Sequence, residues 1–104
     1  MDVVLVLVNV AGSEEGESIA QALVTERLAA AVNVIPGLVS FYRWRGESVR
    51  QGEALVVIKT RAARVDAVFA RVKALHGYEC PAMLAIPVAS GDPDYLDWVR
   101  AETP

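Results

Sequence analysis

One cysteine and one histidine stand in the whole chain of 104 residues. A lone cysteine, Cys80, has no internal disulfide partner, which fits a reducing, cytoplasmic location. A single histidine leaves little room for nucleophile–base catalysis, and no serine elbow, phosphate loop or metal-hydrolase motif is present, so the chain reads as non-enzymatic. Basic residues are outnumbered, 10 Lys and Arg against 13 Asp and Glu, for a net charge of −3. That balance argues against nucleic acid or an acidic membrane as partner. No segment approaches the ~20 apolar residues a membrane span needs. The opening MDVVLVLVNVAG is short, carries Asp2 where a leader has positive charge, and is interrupted by Asn9, so it reads as a buried strand.

What is present is a folded composition, 54% hydrophobic and 22% charged, long enough for one domain over residues 1–104 without metal or disulfide staples. VVLVLVNV (3–10) is β-branched and continuously apolar, as a central strand is. Gly12 breaks it and Ser13 is placed to cap a helix over about 14–29, with Ile19, Leu23, Ala20, Val24 and Leu28 on its apolar stripe. AAVNVIPGLVSFYRWRG is a strand of unusual length, kinked at Pro36–Gly37. Gly46 to Gly52 supplies a turn, and EALVVIKT (53–60) returns as the second strand of a hairpin. Thr60 is placed to cap a second helix whose stripe runs Val65, Val68, Phe69, Val72 and Leu75 and which Gly77 ends. PAMLAIPVAS is the last strand, bounded by Pro81 and Pro87. A short terminal helix follows, with Asp92 as cap and Pro93 in its first turn.

The order βαββαβ, with crossovers around a hairpin, gives an antiparallel four-stranded sheet with both long helices on one face, a ferredoxin-like α+β sandwich with a short C-terminal helix and an extended, kinked hairpin. Side chains alternate along a strand, so Tyr42 and Trp44 point one way and Phe41, Arg43 and Arg45 the other. Burying three aromatics at ~150–250 Å² each is worth about 11–19 kcal/mol gross. Left bare they exceed the apolar patch a monomer normally shows. A long hairpin with open edges also invites pairing. The expectation is a closed homo-oligomer in which copies shelter Phe41, Tyr42 and Trp44 for one another.

The stretches ERLAAAVNVIPGLVSFYRWRGE, VVIKT, ALHGYECP, AIPV and DYLDWV, in that order over nearly the whole chain, resemble the CutA family of divalent-cation tolerance proteins. The resemblance implies a tightly packed homotrimer of ferredoxin-like subunits, similar to the PII signalling proteins. It also implies a cytoplasmic location, binding of copper(II) or another divalent cation that is not needed for folding, and a role in metal tolerance. Three positions depart from the family pattern and bear on a fixed metal site. Ala31 replaces a cysteine, Gly77 replaces the proline between His76 and Tyr78, and Ala82 replaces a glutamate. Cys80, in turn, stands where the family often has an aliphatic or small residue.

His76, Glu79 and Cys80 are the local set of N, O and S donors, of a kind that suits copper or zinc. A stable site wants three or four ligands, and this segment crosses a helix end. Histidine at a helix C-terminus and a lone buried cysteine are the structural alternatives. Tyr42, Trp44, Lys59, Tyr78 and Glu79 match family positions expected around a cleft between subunits. There a lysine beside aromatic walls would hold a small anionic ligand, as in a PII-like sensor; an ion pair sealing an interface is the plainer reading, and a ligand-free scaffold the third. Asp92, Asp94 and Asp97 read as cap and solvated helix face, and Arg43, Arg45 and Arg50 as a basic hairpin tip.

Overall fold

The computed structural model describes residues 2–104. The elements run β1 (Val3–Val10), α1 (Ser13–Thr25), β2 (Ala31–Trp44), β3 (Glu47–Arg61), a 3-10 turn (Ala62–Arg64), α2 (Val65–Leu75), β4 (Met83–Pro87) and α3 (Pro93–Glu102). The sheet order is β2-β3-β1-β4 with every neighbour antiparallel, which is the ferredoxin-like arrangement. Val4, Val6, Val8 and Val10 alternate onto one face, where they pack with Val56 and Ile58 of β3 against Ile19 and Leu23 of α1 and Val68 and Val72 of α2. α1 comes close enough to the sheet that a Cβ on Gly16 would sit 3.0 Å from Val34 Cγ1 and 3.2 Å from Val56 Cγ2.

Among the described residues, the opposite face is covered only at one end, by α3. Asp92 caps that helix by accepting from the Tyr95 amide, Pro93 opens its first turn, and Val99 is buried with Val3 and Ala30. Beyond α3 this face carries Leu5 and Leu7 half-buried, and Ile35, Leu84 and Ile86 exposed.

β2 and β3 continue past the end of β1 as a two-stranded arm. Its base is the kink: the register slips between Ile35 and Leu38, with Gly37 at φ +82°. Seven further residue pairs, Leu38↔Glu53 through Trp44↔Glu47, extend it, and the molecule is drawn out to 44 × 26 × 23 Å. The arm closes in a two-residue turn with positive φ at both Arg45 (49°) and Gly46 (82°), the primed geometry that matches strand twist.

Five local expectations need correction. The return strand begins at Glu47 and not at Glu53, because Ser48–Gly52 pair with β2 instead of looping. The first helix ends at Thr25; Ser13 is its first residue, and Gly12, without a side-chain bond, occupies the cap. Thr60 caps nothing: it is buried in β3 and its hydroxyl donates to Leu28 O at 2.7 Å. α2 ends because His76 turns extended (φ −80°, ψ 141°), with no left-handed residue at Gly77.

Candidate functional site

The segment between α2 and β4 passes across the end of β1 and lies along the arm. Three bonds pin it there. The Asn9 amide donates to Ala82 O at 3.2 Å, a His76 ring nitrogen meets Asn9 O at 2.7 Å, and the Tyr78 amide donates to His76 Nδ1 at 3.0 Å. A carbonyl accepts only and an amide donates only, so Nε2 carries the proton and Nδ1 offers its lone pair. The His76 side chain is fully buried, and Glu15 Oε1 lies 3.5 Å from Nδ1. That oxygen is buried with no hydrogen-bond partner.

Between this segment and the arm opens a cleft of ≈ 650 Å³. Phe41, Tyr42, Trp44 and Ser40 line it from the arm, Tyr78, Glu79 and Cys80 from the crossing segment, and Glu53 and Asn9 at its root. Glu53 shares the face of Tyr42 and Trp44 by register and is only 7% exposed. Tyr78 Oη donates to Glu53 Oε2 at 2.8 Å and accepts from Gln51 Nε2 at 2.8 Å. Asn9 Nδ2 donates to Glu53 Oε1 at 3.2 Å, and the Tyr42 hydroxyl donates to Gln51 Oε1. Burial pushes the Glu53 carboxyl up, but hydrogen bonds from Ser40, Tyr78 and Asn9 outweigh it and leave the group below the ordinary carboxylate value. The Tyr78 phenol is held well above its usual value, first by burial and then by its bond to the Glu53 carboxylate and that group's charge.

At the rim, Arg45 reaches back from the turn to Glu79 Oε2 at 2.5 Å, with its guanidinium 5.3 Å from the centre of the Trp44 ring. Phe41, expected on the face opposite Tyr42 and Trp44, also lines the cleft, and Arg45 sits in the turn and swings onto the Trp44 side.

The expected donors His76, Glu79 and Cys80 are neighbours in sequence without forming a chelate. Both His76 nitrogens are spent on backbone partners, Glu79 is tied to Arg45, and Cys80 is exposed. Among the described residues no group of three or more His, Cys, Asp or Glu side chains is arranged to hold a metal ion. A complete metal site within one chain does not fit these residues. Tyr42, Trp44, Tyr78 and Glu79 share one cleft within a single chain, whereas the expectation placed them around a cleft between subunits. Lys59 does not join them: it bonds to Asn33 on the sheet face, six residues along β3 from Glu53, or about 20 Å of extended strand. The residues that sequence reasoning missed are Asn9, Ser40, Gln51 and Glu53. One signal was available, in that Glu53 is charged yet in phase with the open-face residues Leu55 and Val57.

A family model described as the CutA1 divalent ion tolerance protein matches residues 4–102. The divalent-cation tolerance protein CutA of Thermus thermophilus is 48% identical over 99 residues, 95% of this chain and 96% of that protein. The chloroplastic CutA 1 protein of rice is 39% identical over 96% of this chain, which spans 56% of the rice protein's length. The crystal structure of CutA from Xylella fastidiosa superposes with a TM-score of 0.97 at 40% identity, covering 100% of both chains. With the ferredoxin-like sheet, the kinked arm and this near-complete match in hand, the chain belongs to the CutA1 divalent-cation tolerance family.

Proposed function

We propose that this protein acts in divalent-cation tolerance as a non-enzymatic homotrimer, with copper foremost among the metals it binds. Membership in a family named for cation tolerance supports the role. The observation that carries the assembly is the arm. Phe41 is 72% exposed, and Val39, Tyr42 and Trp44 are each exposed by more than a third, next to a sheet face whose Leu84 is 66% exposed. Among the described residues no element of the same chain is left to cover them. Identical copies that lay arm against sheet would bury both surfaces and close the exposed strand edges.

The metal reading rests on Cys80, an accessible thiol at the mouth of the cleft beside the Glu79 carboxylate. Thiolate favours copper and zinc over harder cations. One chain offers two such donors at most, so a site of three or four draws on more than one copy. Calorimetric copper titration of chelator-stripped protein tests this. Cys80→Ser weakens binding at least tenfold; unchanged affinity removes the thiol from the account. Nothing in the cleft favours the anionic-ligand reading, because Lys59 lies outside it and its buried charge is negative.

A further inference from the structure

Glu53 is a buried carboxylate with an unusual set of neighbours. Its hydrogen-bond donors are neutral, Asn9 Nδ2 at 3.2 Å and the Tyr78 hydroxyl at 2.8 Å. Among the described residues it makes no ion pair, although the more exposed Glu79 at the rim of the same cleft has Arg45. A buried ion without a counter-ion is costly, and neutral hydrogen bonds offset only part of that cost. A carboxylate has about four lone-pair sites, so these two donors leave room for more. The group also lines the cleft and so faces its interior.

The walls add to the same sign of potential. Phe41, Tyr42, Trp44 and Tyr78 surround the space, and aromatic faces carry the negative lobe of the ring quadrupole. The chain already uses two of these rings this way, with the Arg45 guanidinium 5.3 Å from the centre of the Trp44 ring and the Arg50 guanidinium 5.9 Å from that of Phe41. A cleft of ≈ 650 Å³ is of the size that takes a small organic molecule. An anion would meet an unpaired carboxylate at the root. A neutral apolar molecule would fill the walls and leave that charge uncompensated.

We infer that the cleft is a receptor for an ammonium or guanidinium group carried on an apolar stem, with Glu53 as counter-ion and the rings of Tyr42 and Trp44 as walls. The same chemistry has two sources: a free organic amine, or a lysine or arginine side chain from another copy of this chain. The inference rests on Glu53 and the ring walls, whereas the metal reading rests on Cys80 and Glu79 in another part of the same lining.

The test uses the intact protein in a chelator, so that metal plays no part. Calorimetry and tryptophan fluorescence follow three probes of one shape: 2-phenylethylammonium, neutral 2-phenylethanol and anionic 3-phenylpropionate. Saturable binding of the ammonium, with the other two at least tenfold weaker, supports a free amine. Glu53→Gln, which keeps the shape and removes the charge, then loses at least tenfold in ammonium affinity while copper titration is unchanged. Where the variant fails to fold, the charge series on the unaltered protein decides by itself. If the ammonium does not bind, but Glu53→Gln weakens association of the copies at least tenfold and flattens its salt dependence, the occupant is another copy's side chain. Equal or tighter binding of the neutral or anionic probe overturns the inference. So does the absence of both ammonium binding and any effect of Glu53→Gln on association.

Discussion

Removing one hydroxyl, by Tyr78→Phe, tests the polar root of the cleft. Tyr78 Oη gives its proton to Glu53 Oε2 and receives one from Gln51 Nε2, both at 2.8 Å. Phenylalanine fills the same ring space, so the change isolates two hydrogen bonds. The bond to the carboxylate falls in the charged class, worth about 1.5–3 kcal/mol, and the lost donor leaves a buried oxygen facing carbon. Gln51 is only half-buried and turns to water, so its share is under about 1 kcal/mol. The expected loss is about 2–3 kcal/mol, read from urea midpoints at one fixed protein concentration, because association would shift them.

The pH dependence has a definite sign. Glu53's folded-state pKa is lowered, so its ionised form adds stability that is complete above the ordinary carboxylate value and is lost as pH falls through the folded value. Without the Tyr78 donor the folded value moves up, so the variant begins to lose stability at a higher pH, and its deficit shrinks once Glu53 is protonated in both proteins. On the alkaline side the raised Tyr78 pKa adds stability that is complete below the ordinary phenol value and is lost as pH rises through the folded one. Tyr78→Phe has no such loss. A deficit below about 0.5 kcal/mol, with both limbs superposing on those of the parent, would refute the network as a source of stability.

Gly16→Ala drives a methyl to 3.0 Å from Val34 Cγ1 and should cost about 1–3 kcal/mol by urea unfolding. Thr60→Val keeps the volume but strands Leu28 O, and should cost about 1–3 kcal/mol by the same assay. Asp92→Ala removes the α3 cap and should cost about 1 kcal/mol, with amide exchange rising first at Tyr95, whose N–H loses its acceptor.

Much of the architecture was written in periodicity. The all-valine alternation of β1 buries the residues its pattern selects, and the stripe of α2 buries Val68 and Val72, half-buries Val65 and Phe69 and leaves Leu75 exposed. Pro36–Gly37 marks the bulge because one lacks a donor and the other accepts φ +82°. The far arm was half legible. FYRW on β2 carries strand-forming aromatics, but Ser48–Gly52 opposite is mostly polar, with Val49 its one apolar side chain, and its strand is held by backbone pairing, which leaves no mark in composition. Thr60 misled because a hydroxyl before a helical stripe looks like a cap, whereas tertiary contact claims it for Leu28. At the site, the aromatic wall was legible as an excess of rings in one stretch. The committed nitrogens of His76 were not, since they depend on where the fold places Asn9, far away in sequence near the end of β1. Glu53 was hidden for a related reason: its burial comes from Tyr78 and Asn9, on two other parts of the chain.

Sedimentation of dilute, metal-free protein bears most directly on the claim that identical copies shelter the aromatic arm. A single species of three times the chain mass, split toward smaller species by charges placed at Phe41 and Leu84, is the predicted result. A folded species of one chain mass, with Trp44 equally accessible to quencher at every concentration, would contradict it.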